Sequence, residues 1–135
     1  MLSDSTRKSA SHYAIGNKNP NLPFHPAVRA GDFIFVSGQV PKDENNMISG
    51  TIEEETLATL KTIARVIAHE GATLSDVVRI TTYLEDTRDF GRYNKAFLEG
   101  IGDAVLARTT VEAKAVINTK IEMDAIVYKP LPASK

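Results

Sequence analysis

The sequence contains no cysteine, and this absence removes several kinds of chemistry at once. Disulfides, thiolate metal sites and cysteine nucleophiles are all excluded, because each of them requires the sulfur of this residue. A chain without cysteine fits a reducing compartment, so we expect a cytoplasmic location.

The chain also lacks an excess of charge of one sign and a long apolar run. Its formal net charge is −1 and its basic residues are scattered, which disfavours nucleic acid as the main partner. No uncharged apolar stretch approaches the roughly 18 to 20 residues that cross a membrane. The 135 residues, 42% of them hydrophobic, predict one soluble domain over 1–135. Residues 1–11 are polar, without the apolar core of a secretory signal, and we expect a flexible tail there.

The sequence motifs of common cofactor and metal sites are missing as well. His12, His25 and His69 are not spaced as metal ligands, so no metal site is predicted. No glycine-rich phosphate loop follows a strand, so no nucleotide cofactor is predicted. Ser37 lies outside a Gly-x-Ser-x-Gly nucleophile elbow, which suits it better to donating a hydrogen bond to a ligand than to nucleophilic attack.

What is present are the alternating patterns and turn signals of several strands. The prolines before residue 27 limit any strand near residues 13–15 to a short one at a sheet edge. The dipeptide Gly31-Asp32 predicts a turn between strands at residues 27–30 and 33–36. Residues 77–84 are rich in β-branched side chains and predict a central strand, with one face formed by Val78, Ile80, Thr82 and Leu84.

The first of two predicted helices covers residues 51–70. Thr51 and Glu54 form a capping-box pattern at its start, and Gly71 supplies a stop. Acids in the first turn of a helix are stabilising, so three consecutive glutamates there need no catalytic explanation. Helical spacing predicts a buried face of Leu57, Leu60, Ile63, Ala64 and Ile67, and an outward face of Glu55, Thr59, Thr62 and Arg65.

The second predicted helix begins at an Asp86 or Thr87 cap and runs to about Glu99, with Gly100 as its stop. Three aromatic residues share one of its faces, and Asn94 lies beside them; the three are Phe90, Tyr93 and Phe97.

These elements predict an α+β fold in the order β-β-α-β-α-β-β, a mixed sheet with both helices on one face. The other face would then expose apolar residues of the last two strands, including Val111, Ala113 and Val127. A domain of this size does not leave such a face bare, so we expect other copies of the chain to cover it.

The last third of the chain carries the residues most suited to chemistry. Residues 107–128 predict two strands joined by a short polar turn, with Arg108 near the start of the first and Glu122 at the start of the second. Arginine binds a carboxylate with two parallel hydrogen bonds, and a nearby glutamate can orient or deprotonate water. From these two residues alone, an ion pair between strand ends is the favoured explanation.

Residues 33–41, 107–112 and 120–125, together with 71–78 and the Asp89-Phe90 pair, resemble the Rid (YjgF-like) family of enamine and imine deaminases. The resemblance extends from about residue 23 to residue 128. It implies a chorismate-mutase-like fold and a homotrimer with three ligand clefts between neighbouring subunits.

The resemblance also implies a reaction, the hydrolysis of reactive 2-enamino and 2-imino acids of the 2-aminoacrylate/2-iminopropanoate type to 2-oxo acids and ammonia. No cofactor is implied. The implied catalytic residues are Arg108, which would hold the substrate carboxylate, and Glu122, which would position the attacking water. Substrate-binding residues implied by the same resemblance are Ser37, Gly38, Asn94, Thr110 and Phe24.

The sequence departs from the family pattern at positions that bear on the substrate. Phe24 stands in place of a tyrosine, Thr110 in place of a frequent cysteine, and Leu106 in place of a proline. The connection between Arg108 and Glu122 is one residue shorter than usual. Two alternatives therefore remain open, a pathway-specific deaminase of a larger amino-dienoate such as 2-aminomuconate, and a non-catalytic trimer that binds a 2-oxo acid.

Overall fold

The computed structural model describes residues 12–132; the predicted flexible tail lies outside them. We label the strands and α-helices in chain order. The described elements are β1 (His12–Ile15), β2 (Ala27–Ala30), β3 (Phe33–Gln39), α1 (Ile52–Ile67), β4 (Val77–Leu84), α2 (Phe90–Ile101), β5 (Ala107–Glu112) and β6 (Ile121–Tyr128).

The strands form one mixed sheet in the order β1-β2-β3-β6-β4-β5. Strands β4 and β5 are parallel, and the other neighbours are antiparallel. The crossovers from β3 to β4 and from β4 to β5 advance across the sheet in the same direction, so right-handed connections place both helices on the same face. The predicted α+β architecture is confirmed, and the short strand near residue 13 is present at the edge.

Helix α1 begins as the sequence predicts. The backbone N–H of Glu54 donates to the Thr51 hydroxyl (3.2 Å), and the backbone N–H of Thr51 donates to the Glu54 carboxylate (2.9 Å). The chain leaves the helix through one 3-10 turn and stops at Gly71, whose φ of 73° is readily adopted by glycine. The capping box and the stop are therefore both confirmed.

The predicted faces of α1 are only partly right. Leu60, Ile63 and Ile67 are buried, but Leu57 is 37% exposed, while Glu55 and Thr59 are buried instead of facing outward. At Glu55 the difference arises because the segment that leads into β6 covers this side of α1. A buried carboxylate is tolerated there, since it has hydrogen-bond partners in that segment.

Helix α2 does not end at Gly100 as predicted; it continues to Ile101 and stops at Gly102, where φ is 70°. Gly100 has a packing role instead. A Cβ atom at this position would lie 2.7 Å from the Leu60 Cδ1 atom and 2.8 Å from the Leu57 Cδ2 atom of α1. The missing side chain therefore allows the two helices to approach closely.

Strand β4 carries a bulge that the alternation pattern did not predict. Its register with β6 shifts between Val77 and Arg79, so Val77 is buried and Val78 faces outward, 37% exposed. The prediction that Val78 shares a face with Ile80 is wrong, and the strict alternation holds only from residue 79 onward.

Strands β5 and β6 are not adjacent, because β4 lies between them. The predicted turn at residues 113–120 is a connection around the end of β4, held by the hydrogen bonds of Ala113 N–H to Leu84 O and of Glu85 N–H to Lys120 O, each 3.0 Å. Along β4, Arg108 pairs with Ile80 and Glu122 pairs with Tyr83.

The sheet face without helices, here called the open face, carries exposed apolar side chains. The rings of Phe33 and Tyr128 lie 5.2 Å apart on it, and each of the exposed residues Phe33, Phe35, Val78, Val111 and Tyr128 is more than a third accessible. Val127, which the sequence placed on this face, is fully buried in the core. No helix within residues 12–132 is long and apolar enough to cross a membrane.

Candidate active site

The predicted site residues form two clusters on opposite faces of the sheet. Arg108 and Thr110 lie on the helix face of β5, in contact with α2. Glu122 alternates with the buried Ile121 and Met123, which point toward the helices, so its side chain lies on the open face. We call these the arginine cluster (Phe90, Tyr93, Asn94, Phe97, Arg108 and Thr110) and the glutamate cluster (Ser37, Gly38, Tyr83, Glu122 and Asp124).

In the arginine cluster, aromatic rings and one amide hold the guanidinium. The Arg108 Cζ atom lies 4.8 Å from the ring centroids of both Tyr93 and Phe97, and 6.0 Å from that of Phe90. The Arg108 Nη2 atom donates a 2.7 Å hydrogen bond to the Asn94 Oδ1 atom. These contacts combine cation–π attraction with a directional bond, and together they restrict the orientation of the guanidinium.

The guanidinium retains unused binding capacity. It carries five N–H donors, and among residues 12–132 its one hydrogen-bond partner is Asn94. No carboxylate in this part of the chain pairs with it, and Glu122 lies on the other face of the sheet. The ion-pair interpretation of Arg108 and Glu122 is therefore wrong for a single chain, and Arg108 remains available for an external anion.

A chain of hydroxyl groups lies behind Arg108. The fully buried Tyr93 donates a 2.7 Å hydrogen bond to the Thr82 Oγ1 atom, and its hydroxyl lies 3.0 Å from the Thr110 Oγ1 atom. With the Tyr93 proton directed to Thr82, the Thr110 hydroxyl donates to Tyr93 and keeps its lone pairs as acceptors. Thr110, a predicted substrate-binding residue, is thereby oriented from the core.

The glutamate cluster borders an open cavity of about 220 Å³. Its walls come from β3, β4, β6 and the connection after β5, and the lining residues are Gly38, Tyr83, Ala113, Lys114, Ala115, Val116, Glu122 and Asp124. A larger residue at position 38 would clash with Glu122, because a Cβ atom there would lie 3.0 Å from the Glu122 carboxyl carbon and nearer still to one carboxyl oxygen. The glycine therefore gives the carboxylate its space.

The environment of Glu122 favours its protonated form. Burial raises the pKa of the Glu122 carboxyl, and the neighbouring Asp124 carboxylate raises it further. Asp124 accepts a 2.9 Å hydrogen bond from the Tyr83 hydroxyl, and this bond raises the pKa of Tyr83. A carboxyl whose pKa moves toward neutrality is suited to exchange protons with a substrate or with water.

The Ser37 side chain is anchored to the loop that precedes β2. The Ser37 hydroxyl donates a 2.7 Å hydrogen bond to the His25 carbonyl, and its backbone N–H donates to the Pro26 carbonyl at 2.9 Å. The proton of Ser37 thus serves to hold the preceding loop, so toward a ligand the hydroxyl would act as an acceptor. Phe24 lies on that loop and is 50% exposed.

Sequence reasoning missed several members of the two clusters. Tyr83 and Asp124 have the same strand parity as the side chains of the open face, so parity alone places Asp124 beside Glu122. Asn94 was placed beside the aromatic residues of α2, but their contact with Arg108 depends on the pairing of β5 with β4. Within residues 12–132, no group of three or more His, Cys, Asp or Glu side chains is arranged to hold a metal ion.

Comparison with known proteins identifies the family of this chain. The family model described as Endoribonuclease L-PSP matches residues 16–129. A RutC family protein of Pyrococcus abyssi is 38% identical over 113 residues, covering 82% of this chain and 89% of the relative. The mitochondrial protein mmf2 of Schizosaccharomyces pombe is 36% identical over 108 residues, covering 77% of this chain and 86% of the relative.

Solved structures agree with the sequence matches. A YjgF family protein of Neisseria meningitidis superposes with a TM-score of 0.77 at 26% identity, covering 90% of this chain and 97% of the other. RidA from an Antarctic Psychrobacter superposes with a TM-score of 0.79 at 22% identity, covering 86% and 98%, and shows the same fold. With the family model spanning residues 16–129 and relatives above 30% identity covering most of its length, the chain belongs to the Rid (YjgF-like) family.

Proposed function

We propose that this protein is a cofactor-independent deaminase that hydrolyses 2-enamino and 2-imino acids, of the 2-aminoacrylate/2-iminopropanoate type, to 2-oxo acids and ammonia. The observation that carries the proposal is the arginine cluster. Arg108 is held by three rings and Asn94, yet has no carboxylate partner among the described residues. Such a guanidinium is suited to a planar carboxylate, which accepts two parallel hydrogen bonds from it.

The complete site is proposed to lie between two copies of the chain. Arg108 and Glu122 occupy opposite sheet faces, so one copy cannot enclose a small ligand with both. A homotrimer in which the arginine cluster of one subunit meets the glutamate cluster of the next would bring them together. The exposed apolar residues of the open face support such an assembly, because a surface of this kind is stabilised by burial against another copy.

The proposed reaction needs no strong nucleophile. With the substrate carboxylate held by Arg108, ionised Glu122 removes a proton from water as the oxygen bonds to the electrophilic imine carbon. The imine nitrogen takes up the first proton, which gives the carbinolamine. As the C–N bond breaks, the carbinolamine hydroxyl loses its proton to form the carbonyl of the 2-oxo acid, and the leaving nitrogen takes up this second proton and departs as ammonia. The sum is one imino acid and one water giving one 2-oxo acid and one ammonia. The raised pKa of Glu122 favours both proton transfers near neutral pH.

A small anionic substrate accounts for these residues better than RNA does, although the matching family model is described as an endoribonuclease. The chain carries a net charge of −1 with scattered basic residues, whereas binding to a phosphate backbone requires clustered positive charge. The rings of Tyr93 and Phe97 also cover part of the Arg108 guanidinium, which leaves room for one small anionic group rather than for a polymer backbone.

The test is to generate 2-aminoacrylate with a serine dehydratase and to follow pyruvate release. The wild-type protein should accelerate release over the spontaneous rate, and Arg108→Ala and Glu122→Gln should each lose most of that acceleration. Arg88→Ala is the matched control, since Arg88 is 89% exposed and pairs only with Asp86 in the described chain. Equal acceleration by the wild type and Arg108→Ala would refute the proposal.

The same proteins distinguish the two alternatives. Preferential turnover of 2-aminomuconate would identify a pathway-specific deaminase. Tight binding of 2-oxobutanoate in calorimetry, without turnover of any imine, would identify a non-catalytic sensor. We also propose a cytoplasmic location. Two similar proteins of S. pombe are named mitochondrial, so cell fractionation is the test that distinguishes the two locations.

A further inference from the structure

Three consecutive glutamates lie in the first turn of α1, and each has a different environment. Glu54 closes the capping box with Thr51. Glu53 is partly exposed, and its Oε1 atom lies 3.9 Å from the Arg92 Nη1 atom. The Glu55 side chain is only 2% exposed, so the helix-cap explanation that fits its neighbours does not account for it.

The buried carboxylate of Glu55 binds the segment that leads into β6. Its Oε1 atom accepts a 3.0 Å hydrogen bond from the backbone N–H of Lys120, and the Thr119 hydroxyl lies 3.3 Å from the same oxygen. Its Oε2 atom is 3.4 Å from the Lys120 Nζ atom. Lys120 Nζ also donates to the Gly50 carbonyl at 3.1 Å, which joins this segment to the residues before α1.

The bonds from Glu55 reach Lys120, which lies two residues before Glu122. Residues 113–120 must span from the end of β5, around the end of β4, to the start of β6, and part of this connection lines the cavity. A slip of one residue in β6 would move Glu122 to the helix face, since side chains alternate along a strand. The carboxylate of Glu55 fixes the backbone at Lys120 and so opposes such a slip.

We propose that Glu55 is a positioning residue for Glu122, holding the start of β6 in register through Thr119 and Lys120 so that the acid lies in the cavity beside Gly38. The expected loss of kcat rests on the proposed deaminase function, whereas the expected displacement of Glu122 does not. Glu55 has no contact with the cavity; the charged and titratable groups that face Glu122 there are Asp124, Tyr83 and Lys114. Its effect on Glu122 therefore passes through the backbone.

The experiment compares Glu55→Ala and Glu55→Gln with Glu53→Ala, a control from the same helical turn. Each variant is assayed as the assembled protein for kcat and KM. The titration of Glu122 is followed by carboxyl carbon NMR, with Glu122→Gln identifying the signal. Glu55→Ala should lower kcat about tenfold or more with little change in KM, as expected when a reacting group is displaced.

Further results expected from the inference separate it from a loss of stability. In folded Glu55→Ala, the Glu122 titration should move down toward that of a solvated glutamate, whereas Glu53→Ala should leave both kcat and the titration unchanged. Glu55→Gln keeps an acceptor for the Lys120 N–H and should lose less activity. If Glu55→Ala does not fold, two milder variants decide the question by the same two readouts: Glu55→Gln, which removes the ion pair, and Lys120→Met, which removes it together with the bond to the Gly50 carbonyl.

Two other outcomes have defined meanings. Folded Glu55 variants with an unchanged kcat and an unchanged Glu122 titration would overturn the inference. If the wild type deaminates nothing but the Glu122 titration still moves in Glu55→Ala, the proposed function fails while the positioning role of Glu55 stands.

Discussion

Mixing two inactive variants, Arg108→Ala and Glu122→Gln, should restore activity if each site is built from two copies of the chain. Arg108 contacts α2 on the helix face, and Glu122 borders the cavity on the open face. A site that combines them takes its arginine from one subunit and its glutamate from the next. Each variant alone lacks one of these groups in every site, whereas a mixed assembly contains some sites in which both groups are intact.

The fraction of restored sites follows from counting. In an equal and random mixture, the subunit that supplies the arginine cluster retains Arg108 in half of the sites. The subunit that supplies the glutamate cluster independently retains Glu122 in half of them. About one quarter of the sites are therefore complete, and the fraction is the same for any closed ring of identical subunits.

The assay is pyruvate release from 2-aminoacrylate after the two variants are unfolded together, refolded and checked for mixed assembly by native mass spectrometry. We expect about one quarter of the wild-type rate from the mixture and almost none from either variant alone. An equal mixture of Arg108→Ala with wild type gives the calibration, with about one half of the rate. Mixed assemblies with no more activity than their parents would refute the reasoning from opposite sheet faces.

Three smaller changes test the packing and electrostatics of a subunit. Gly100→Ala should destabilise the fold by about 1–3 kcal/mol in thermal or chemical unfolding, because its Cβ atom would overlap leucine side chains of α1. Gly91 is the control, since nothing lies near its Cβ position and alanine there should stabilise the helix by roughly 0.5–1 kcal/mol. Equal effects of the two substitutions would contradict the close approach of the helices. Because the pKa of Glu122 is raised in the folded chain, ionisation of Glu122 lowers stability as the pH rises through the interval from its unfolded pKa of about 4.3 to the folded value. Glu122→Gln should therefore unfold at a higher temperature than wild type at pH 7 and lose this advantage below about pH 4, and an advantage independent of pH would contradict the shift. Tyr93→Phe should cost about 1–3 kcal/mol, measured by chemical unfolding, because two threonine hydroxyls lose their shared partner, and an unchanged stability would show that they find others.

Local signals in the sequence were sufficient for most of the secondary structure. The capping box of Thr51 and Glu54, the turn at Gly31-Asp32 and the β-branched run of β4 each act within a few residues, and all three appear in the structure. The errors lie where a distant element determines the outcome. Gly100 resembles a helix stop but serves helix contact, and the consecutive glutamates of α1 resemble a cap although Glu55 is buried against Lys120.

The same division applies to the candidate site. Residue type and family resemblance were enough to select Arg108 and Glu122, because the chemistry of anion binding and proton transfer belongs to the side chains themselves. Their relation to each other was decided by topology. The insertion of β4 between β5 and β6, together with the alternation of side chains along each strand, places the arginine on the helix face and the glutamate on the open face.

The sequence by itself thus determined the α+β order of elements and the family, and it was enough to select the two residues that we propose for the reaction, since these depend on local propensity and on the chemistry of single side chains. Only the tertiary structure decided that Arg108 has no carboxylate partner in the described chain, that Tyr83 and Asp124 accompany Glu122, and that Glu55 holds the approach to β6. These facts depend on which strands pair and in what register, and strand pairing is governed by contacts between residues far apart in the chain.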